Sequence, residues 1–148
     1  MIILSREKVR NPYVKKIIEV GKEIDKRGTI SIRYGNRILI STNLELKNLG
    51  EDDFVEVIDY NMSTDTALVI GYNQLPPSLP IHWMIYRLPD VNAAIHLHEG
   101  LDFQLRIEQI LDMMKNLKEE RFISSKLFGR ISIGRYLREA LDTIKNIQ

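Results

Sequence analysis

Two short runs, Thr29-Ile30-Ser31-Ile32-Arg33 and Arg37-Ile38-Leu39-Ile40-Ser41, stand on either side of Gly35-Asn36. The first alternates polar with apolar residues, the second is apolar, and the dipeptide between them has turn chemistry, so the pattern predicts a β-hairpin. Phe54-Val55-Glu56-Val57-Ile58 and Ala67-Leu68-Val69-Ile70-Gly71-Tyr72 read as two further strands, separated by a polar turn from Asp59 to Thr66. A sheet in the middle of the chain is therefore the constraint that the rest must satisfy.

Helical spacing surrounds that sheet. Asn11-Pro12 reads as a helix start, and Tyr13, Ile17, Gly21 and Ile24 recur at helical intervals, which predicts a helix from about Pro12 to Arg27 closed by Gly28. Four of the five prolines fall between positions 76 and 89. The stretch after Tyr72 is thus read as an irregular loop entering a short helix, with Pro80 near its first turn and Ile81, Met84 and Ile85 on its buried side. Asn92 to Leu97 returns as a strand. After Gly100 two amphipathic helices are expected, one marked by Phe103, Ile107, Ile110, Leu111, Met114 and Leu117, the other by Ile133, Leu137, Ala140, Leu141 and Ile144. The expected architecture is α/β, a central and mainly antiparallel sheet flanked by helices, helical at both ends and folded as one domain over residues 1–148.

Composition supports a single compact unit and removes several chemistries. The chain has 148 residues and 44% hydrophobic residues, enough for a core without disulfides or a structural metal. It has no cysteine, which excludes thiol catalysis and Cys-ligated zinc or iron–sulfur sites. A formal net charge of +1 gives no field for gathering nucleic-acid phosphates. The basic run Arg121, Lys126, Arg130, Arg135 and Arg138 reads as a solvated helix face, without interleaved aromatics. Met1-Ile2-Ile3-Leu4 passes at once into Arg6, Glu7, Lys8 and Arg10, so no signal peptide is expected. The longest stretch without Asp, Glu, Lys or Arg, Thr66 to Tyr86, is broken by Pro76, Pro77 and Pro80 and is not a membrane helix. A cytoplasmic location is the expectation.

His96-Leu97-His98 is the sharpest chemical feature. In a strand, residues two apart project from one face at a Cα spacing of about 6.5–7 Å, so the two imidazoles can share a metal ion. They can equally be two hydrogen-bonded histidines at the end of a buried strand. Catalytic zinc normally takes three protein ligands, and the only other histidine, His82, lies on the short helix. Glu99 points to the opposite face if the strand continues. Trp83, Met84 and Tyr86 read as packing residues, and Glu51-Asp52-Asp53 as a solvated turn.

The segment Ser78 to His98, with His82, Ile85-Tyr86, Arg87-Leu88-Pro89-Asp90-Val91-Asn92-Ala93 and His96-Leu97-His98, resembles the signature of the class II aldolase/adducin family. Gly28-Thr29-Ile30-Ser31-Ile32-Arg33 is similar to that family's Gly-Asn-Val-Ser-Val-Arg, and Leu49-Gly50-Glu51-Asp52-Asp53-Phe54-Val55 to its loop before the next strand. Ile133-Gly134-Arg135-Tyr136-Leu137-Arg138-Glu139-Ala140-Leu141 is similar to its Gly-x-x-Glu-Leu helix start, so the likeness covers about residues 12–148.

The resemblance implies a metal, usually zinc, on His96 and His98 plus a third histidine from a later strand, with a motif glutamate as ligand or acid/base group. Such a metal polarises the carbonyl of a small sugar phosphate and stabilises the enediolate left by carbon–carbon cleavage. Epimerases, dehydratases and decarboxylases share the site, and fold alone does not choose among them. By the same resemblance the glutamate position is held by Ser78, four residues before His82, and a serine hydroxyl is no base at neutral pH. Thr29 replaces the asparagine of the Gly-Asn motif. Ser41-Thr42-Asn43 replaces the phosphate-gripping loop without its glycine, leaving Thr29, Ser41 and Thr42 as the substrate-binding candidates. The third histidine belongs beyond Gln148 on this alignment, which leaves His82 as a possible extra ligand.

Two functions are therefore expected in competition. One is a degenerate aldolase-like domain with weak or absent zinc and a binding or structural role. The other is an active metal-dependent aldehyde-lyase, or a related epimerase or dehydratase, with a rearranged site. A homo-oligomer is expected in both, since family sites lie between subunits.

Overall fold

The structure, a computed structural model, describes residues 1–99 and 106–146. Its strands are β1 (Ile2–Ser5), β2 (Gly28–Tyr34), β3 (Arg37–Ser41), β4 (Phe54–Asn61), β5 (Thr66–Ile70), β6 (Ala93–Leu97), β7 (Phe122–Ser125) and β8 (Gly129–Gly134). Its helices are α1 (Tyr13–Lys22), α2 (Leu79–Ile85), α3 (Ile107–Glu120) and α4 (Leu137–Asn146). The strands form one sheet in the order β1-β5-β4-β3-β2-β6-β8-β7. All neighbours are antiparallel except β1 and β5. The expected α/β class with a mainly antiparallel sheet and flanking helices is what the chain adopts.

Both faces of the sheet are covered, and this decides where the polar residues go. On one face α1 and α4 bury Val14, Ile17, Val20, Leu141 and Ile144 against Ile30, Ile32, Leu39 and Ile95. On the other, α2 and α3 bury Leu79, Ile81, Ile85, Ile110, Met113 and Leu117 against Ile38, Ile40, Ala94, Ile131 and Ile133. Alternation along β2 sends Ile30 and Ile32 to the α1/α4 layer, so Thr29 and Ser31 must face α2. Both are completely buried. An alternating strand usually leaves its polar face in water; here a helix lies over it.

Several elements differ from expectation. The first helix stops at Lys22 rather than Arg27, and Gly28 is the first residue of β2, not a helix cap. A Cβ at Gly28 would run into the carbonyl oxygen of His96 on the neighbouring strand, so sheet packing requires this glycine. The ends are not purely helical: Ile2–Ser5 pairs in parallel with β5 at the sheet edge, and a hairpin, β7–β8, lies between α3 and α4. Ile133 belongs to β8; its spacing of four to Leu137 imitates a helical turn, but it pairs with Ala94. In α3 the buried seam is Ile110, Met113 and Leu117, whereas Ile107 and Leu111 are exposed; Phe103 lies outside the described residues. Strand β4 runs to Asn61, which shortens the expected Asp59–Thr66 turn.

The basic C-terminal run is not one helix face. Arg121 is the left-handed cap of α3, Lys126 lies in the β7–β8 turn, Arg130 is in β8, and Arg138 bridges from α4 to Glu23 at 3.1 Å. Among the described residues no helix is long and apolar enough to cross a membrane.

Candidate active site

The site is built where α2 lies across β2 and β6. Pro77 and Ser78 make the turn that leads into α2, closed by the Leu79 N–H donating to the Pro76 carbonyl at 3.1 Å, and Pro80 sits in the first turn of α2, where a missing N–H costs nothing. Ser78 stands at the helix start, and its carbonyl accepts the N–H groups of Ile81 and His82. His82, four residues on, shares its face. Below them the sheet register places Thr29 opposite His96 and Ser31 opposite Ala94. Arg33 ties the layers together by donating to the carbonyl of Tyr86 at 3.2 Å and to Asn92 Oδ1 at 3.1 Å.

The result is a buried cluster of hydroxyls and imidazoles. The hydroxyl of Ser78 donates to Thr29 Oγ1 at 3.0 Å, and Thr29 Oγ1 lies 2.9 Å from His98 Nε2. A second chain runs through Ser31, whose Oγ lies 2.6 Å from both His82 Nδ1 and the Tyr86 hydroxyl. His96 Nε2 donates to the carbonyl of Phe128 in the β7–β8 turn. A carbonyl can only accept, so His96 carries its proton on Nε2 and its lone pair on Nδ1. The ring centroids of His96 and His98 are 4.5 Å apart, those of His82 and His96 5.9 Å. Both His96 and His98 therefore project from the same face, as the two-residue spacing predicts.

Burial sets the charge of these rings. His82 and His96 are wholly buried and His98 nearly so. Loss of solvent, reinforced by the neighbouring imidazoles, pushes His82 far below its ordinary value. The same two causes bring His96 down to about 3. His98 is lowered to about 4, by burial first and by the Arg27 guanidinium second. All three are neutral at pH 7. The Tyr86 hydroxyl is pushed upward by burial and stays protonated.

The other candidates lie elsewhere or play other parts. Ser41 is buried, with its Oγ accepting the Ile30 N–H at 2.9 Å. Thr42 is half-buried and accepts from Asn73 at 3.2 Å. Neither bonds to the imidazole cluster. Glu99 is exposed. Trp83 packs edge-on against Tyr60, centroids 6.1 Å apart, as a packing residue should. Ser31, Tyr86 and Phe128 are the partners that sequence reasoning missed. Ser31 had a signal, since it shares a strand face with Thr29, whereas the Phe128 carbonyl had none.

These residues do not fit a three-ligand metal centre. His96 Nε2, His98 Nε2 and His82 Nδ1 are each taken by a protein partner, and among the described residues no carboxylate bonds into the cluster. Among the described residues no three His, Cys, Asp or Glu side chains converge on one point. His82 Nε2, His96 Nδ1 and His98 Nδ1 are buried without a partner.

Comparison with known proteins now places the chain. The family profile for the class II aldolase and adducin N-terminal domain matches residues 25–142, most of the length. This chain belongs to that family. Among solved structures, L-fuculose 1-phosphate aldolase superposes with a TM-score of 0.72 at 15% identity, covering 95% of this chain and 83% of that one. YgbL of Escherichia coli gives 0.68 at 14% identity, covering 90% of this chain and 84% of that one. A sugar-phosphate aldolase from Thermotoga maritima gives 0.69 at 12% identity, covering 90% and 89%. At such identities the likeness establishes the class II aldolase fold alone. A comparison with curated protein sequences found no match.

Proposed function

We propose that this class II aldolase-like domain has a degenerate lyase site and serves a binding or structural role. The observation that carries this reading is the hydroxyl network Ser78–Thr29–His98, which occupies the position where the family resemblance expects a glutamate beside the histidine pair. Carbon–carbon cleavage needs a group that takes a proton and a group that stabilises the developing oxyanion. A buried serine hydroxyl bonded to a threonine does neither at neutral pH. The imidazoles are neutral and mostly engaged, and the Phe128 carbonyl closes over His96. Zinc binding is accordingly weak or absent, and the protein works in the cytoplasm without nucleic acid or membrane.

The unpartnered nitrogens of His82, His96 and His98 favour a second reading, an active metal-dependent aldehyde-lyase or related epimerase or dehydratase on a small sugar phosphate, with a rearranged site. In that reading Thr29, Ser41 and Thr42 contact substrate. Cleavage assays over a panel of short sugar phosphates, with zinc, cobalt or manganese added, separate the two. Absence of turnover above background supports the degenerate site; metal-dependent turnover overturns it.

Self-association belongs to the proposal as well. Strand β1 is a sheet edge carrying Ile2 and Leu4, both exposed, and an apolar edge strand is normally paired or covered. Light scattering at micromolar concentration should give a mass above one chain, and a clean monomer refutes this part.

A further inference from the structure

We infer that the cavity at the end of the sheet, where β2 begins, β6 ends and the β7–β8 hairpin turns, is a binding site for a small, multiply charged oxyanion. Its volume is about 380 Å³, within the range of small-ligand sites. Lys26, Arg27, Lys126 and Arg130 all line it, together with the hydroxyl-bearing Ser124 and Ser125. Among the described residues Glu99 is the single carboxylate on its wall. Arg27 has Glu45 beside it at 3.3 Å, while Lys26, Lys126 and Arg130 have no ion-pair partner among the described residues. In a chain whose formal net charge is +1, four cations around one concavity are a local concentration, not a reflection of overall charge.

The convergence is fixed by the fold. Arg130 pairs with Leu97 on one side and Ser124 on the other, so its position follows from three strands. Arg27 is held one residue before β2, its carbonyl accepting the His98 N–H at 3.0 Å. Gly129, with φ of +81°, lets the hairpin close against β6, because a Cβ there would strike the carbonyl of Leu97. These contacts bring cations from two distant chain segments onto one wall. Guanidinium, ammonium and hydroxyl groups are the donors that bind phosphate or clustered carboxylates. A polynucleotide would need an open track with several stacking rings, and among the described residues the His98 imidazole is the one ring on the cavity wall. Thr29, Ser78 and His82 do not line this cavity, whereas His98 does, so it opens beside one ring of the imidazole cluster while its four cations lie outside that cluster.

The test is calorimetric titration of the full chain in chloride buffer with inorganic phosphate, pyrophosphate and citrate in separate arms. Saturable binding at micromolar to millimolar concentration is expected. Preference for pyrophosphate identifies a phosphorylated ligand, and preference for citrate a polycarboxylate. Lys126→Gln with Arg130→Gln should weaken binding by about tenfold or more, through loss of two charge-assisted contacts. Lys118→Gln, an exposed lysine on α3, should leave it unchanged. Lys126→Gln alone lies on the exposed turn; should the double variant not fold, it must weaken binding measurably in a protein with the wild-type melting curve. No saturable binding in any arm, unaltered affinity in the hairpin variants, or equal weakening by Lys118→Gln overturns the inference.

Discussion

Lowering the pH from 7 to 5 should destabilise this protein far more than an ordinary domain of its size, through the buried imidazoles. A histidine free in the unfolded chain titrates near 6.5, whereas His96 in the folded chain titrates near 3 and His82 well below its ordinary value. Between those values the unfolded state binds a proton that the folded state refuses. Stability is therefore full above about pH 6.5 and falls as the pH drops toward the folded value. At pH 5 the unfolded histidine gains about 1.5 pH units of proton binding, or about 2 kcal/mol. His96, near 3, and His98, lowered to about 4 by burial and by Arg27, together give about 4 kcal/mol, a large part of a typical 5–15 kcal/mol. His82, held well below its ordinary value by burial first and by its neighbouring imidazoles second, adds to this in the same direction.

Urea unfolding followed by circular dichroism at about pH 7.5, 6 and 5 measures this directly, with a slope of about two protons or more per pH unit near pH 5. The window isolates the histidines, because the carboxylates held below their ordinary value, Glu23 beside Lys145 and Glu139 beside Arg135, lose their contribution only when the pH falls below about 4.5. His96→Gln should remove about one proton from the slope. A stability that changes by less than about 1 kcal/mol between pH 7.5 and 5 would refute the reasoning, since it would mean that the folded chain protonates these rings freely.

Ser78→Glu should not restore aldol cleavage, because it buries a carboxylate among neutral imidazoles without supplying a third histidine; thermal unfolding should show a loss of several kcal/mol, and turnover in this variant refutes the expectation. Ser78→Ala, which leaves the Thr29–His98 bond in place, should cost only about 1 kcal/mol in the same assay. Metal analysis after dialysis against zinc should find well under one zinc per chain; stoichiometric zinc that disappears in His96→Ala contradicts the engaged-imidazole reading. Gly129→Ala should destabilise by about 2 kcal/mol or more, since the substitution meets both a positive φ and the Leu97 carbonyl, and an unchanged melting temperature would show that the hairpin can shift away from β6.

The parts of the fold that were legible in the sequence are those where one local rule acts without competition. The β2–β3 hairpin follows from alternation and Gly35-Asn36, and the short helix α2 from its prolines. The errors arise where two rules share residues. Ile133 is spaced from Leu137 as in a helix and from Ile131 as in a strand, and pairing with β6 decided for the strand. Gly28 looks like a helix cap from one side and a strand start from the other, and only the approach of the His96 carbonyl shows why a glycine stands there. The histidine pair on one face was legible because a strand has period two. Its engagement was not, because the Phe128 carbonyl arrives from a hairpin thirty-two residues away in sequence.

That hairpin also gives the chemical consequence of Ser78 its shape. A glutamate at this point would carry a charge into the layer between α2 and the sheet, and a buried charge must be met by a cation, a metal or water. A serine carries none, so the layer can close: Ser78 bonds to Thr29, Thr29 to His98, and Ile81 and Ile85 pack beside them without exposure. Once closed, the site favours neutral rings, and neutral rings are satisfied by hydroxyls and carbonyls, which is the partner set observed for one nitrogen of each. The remaining nitrogens are left without partners, and each such buried group costs about 1–3 kcal/mol. An interior that tolerates three of them is held shut by the surrounding apolar layers rather than by its own polar contacts. On the proposed reading, a serine in place of the carboxylate and the closing of the layer around the imidazoles go together, so a carboxylate put back at this position would meet neutral rings already bonded to hydroxyls and a carbonyl.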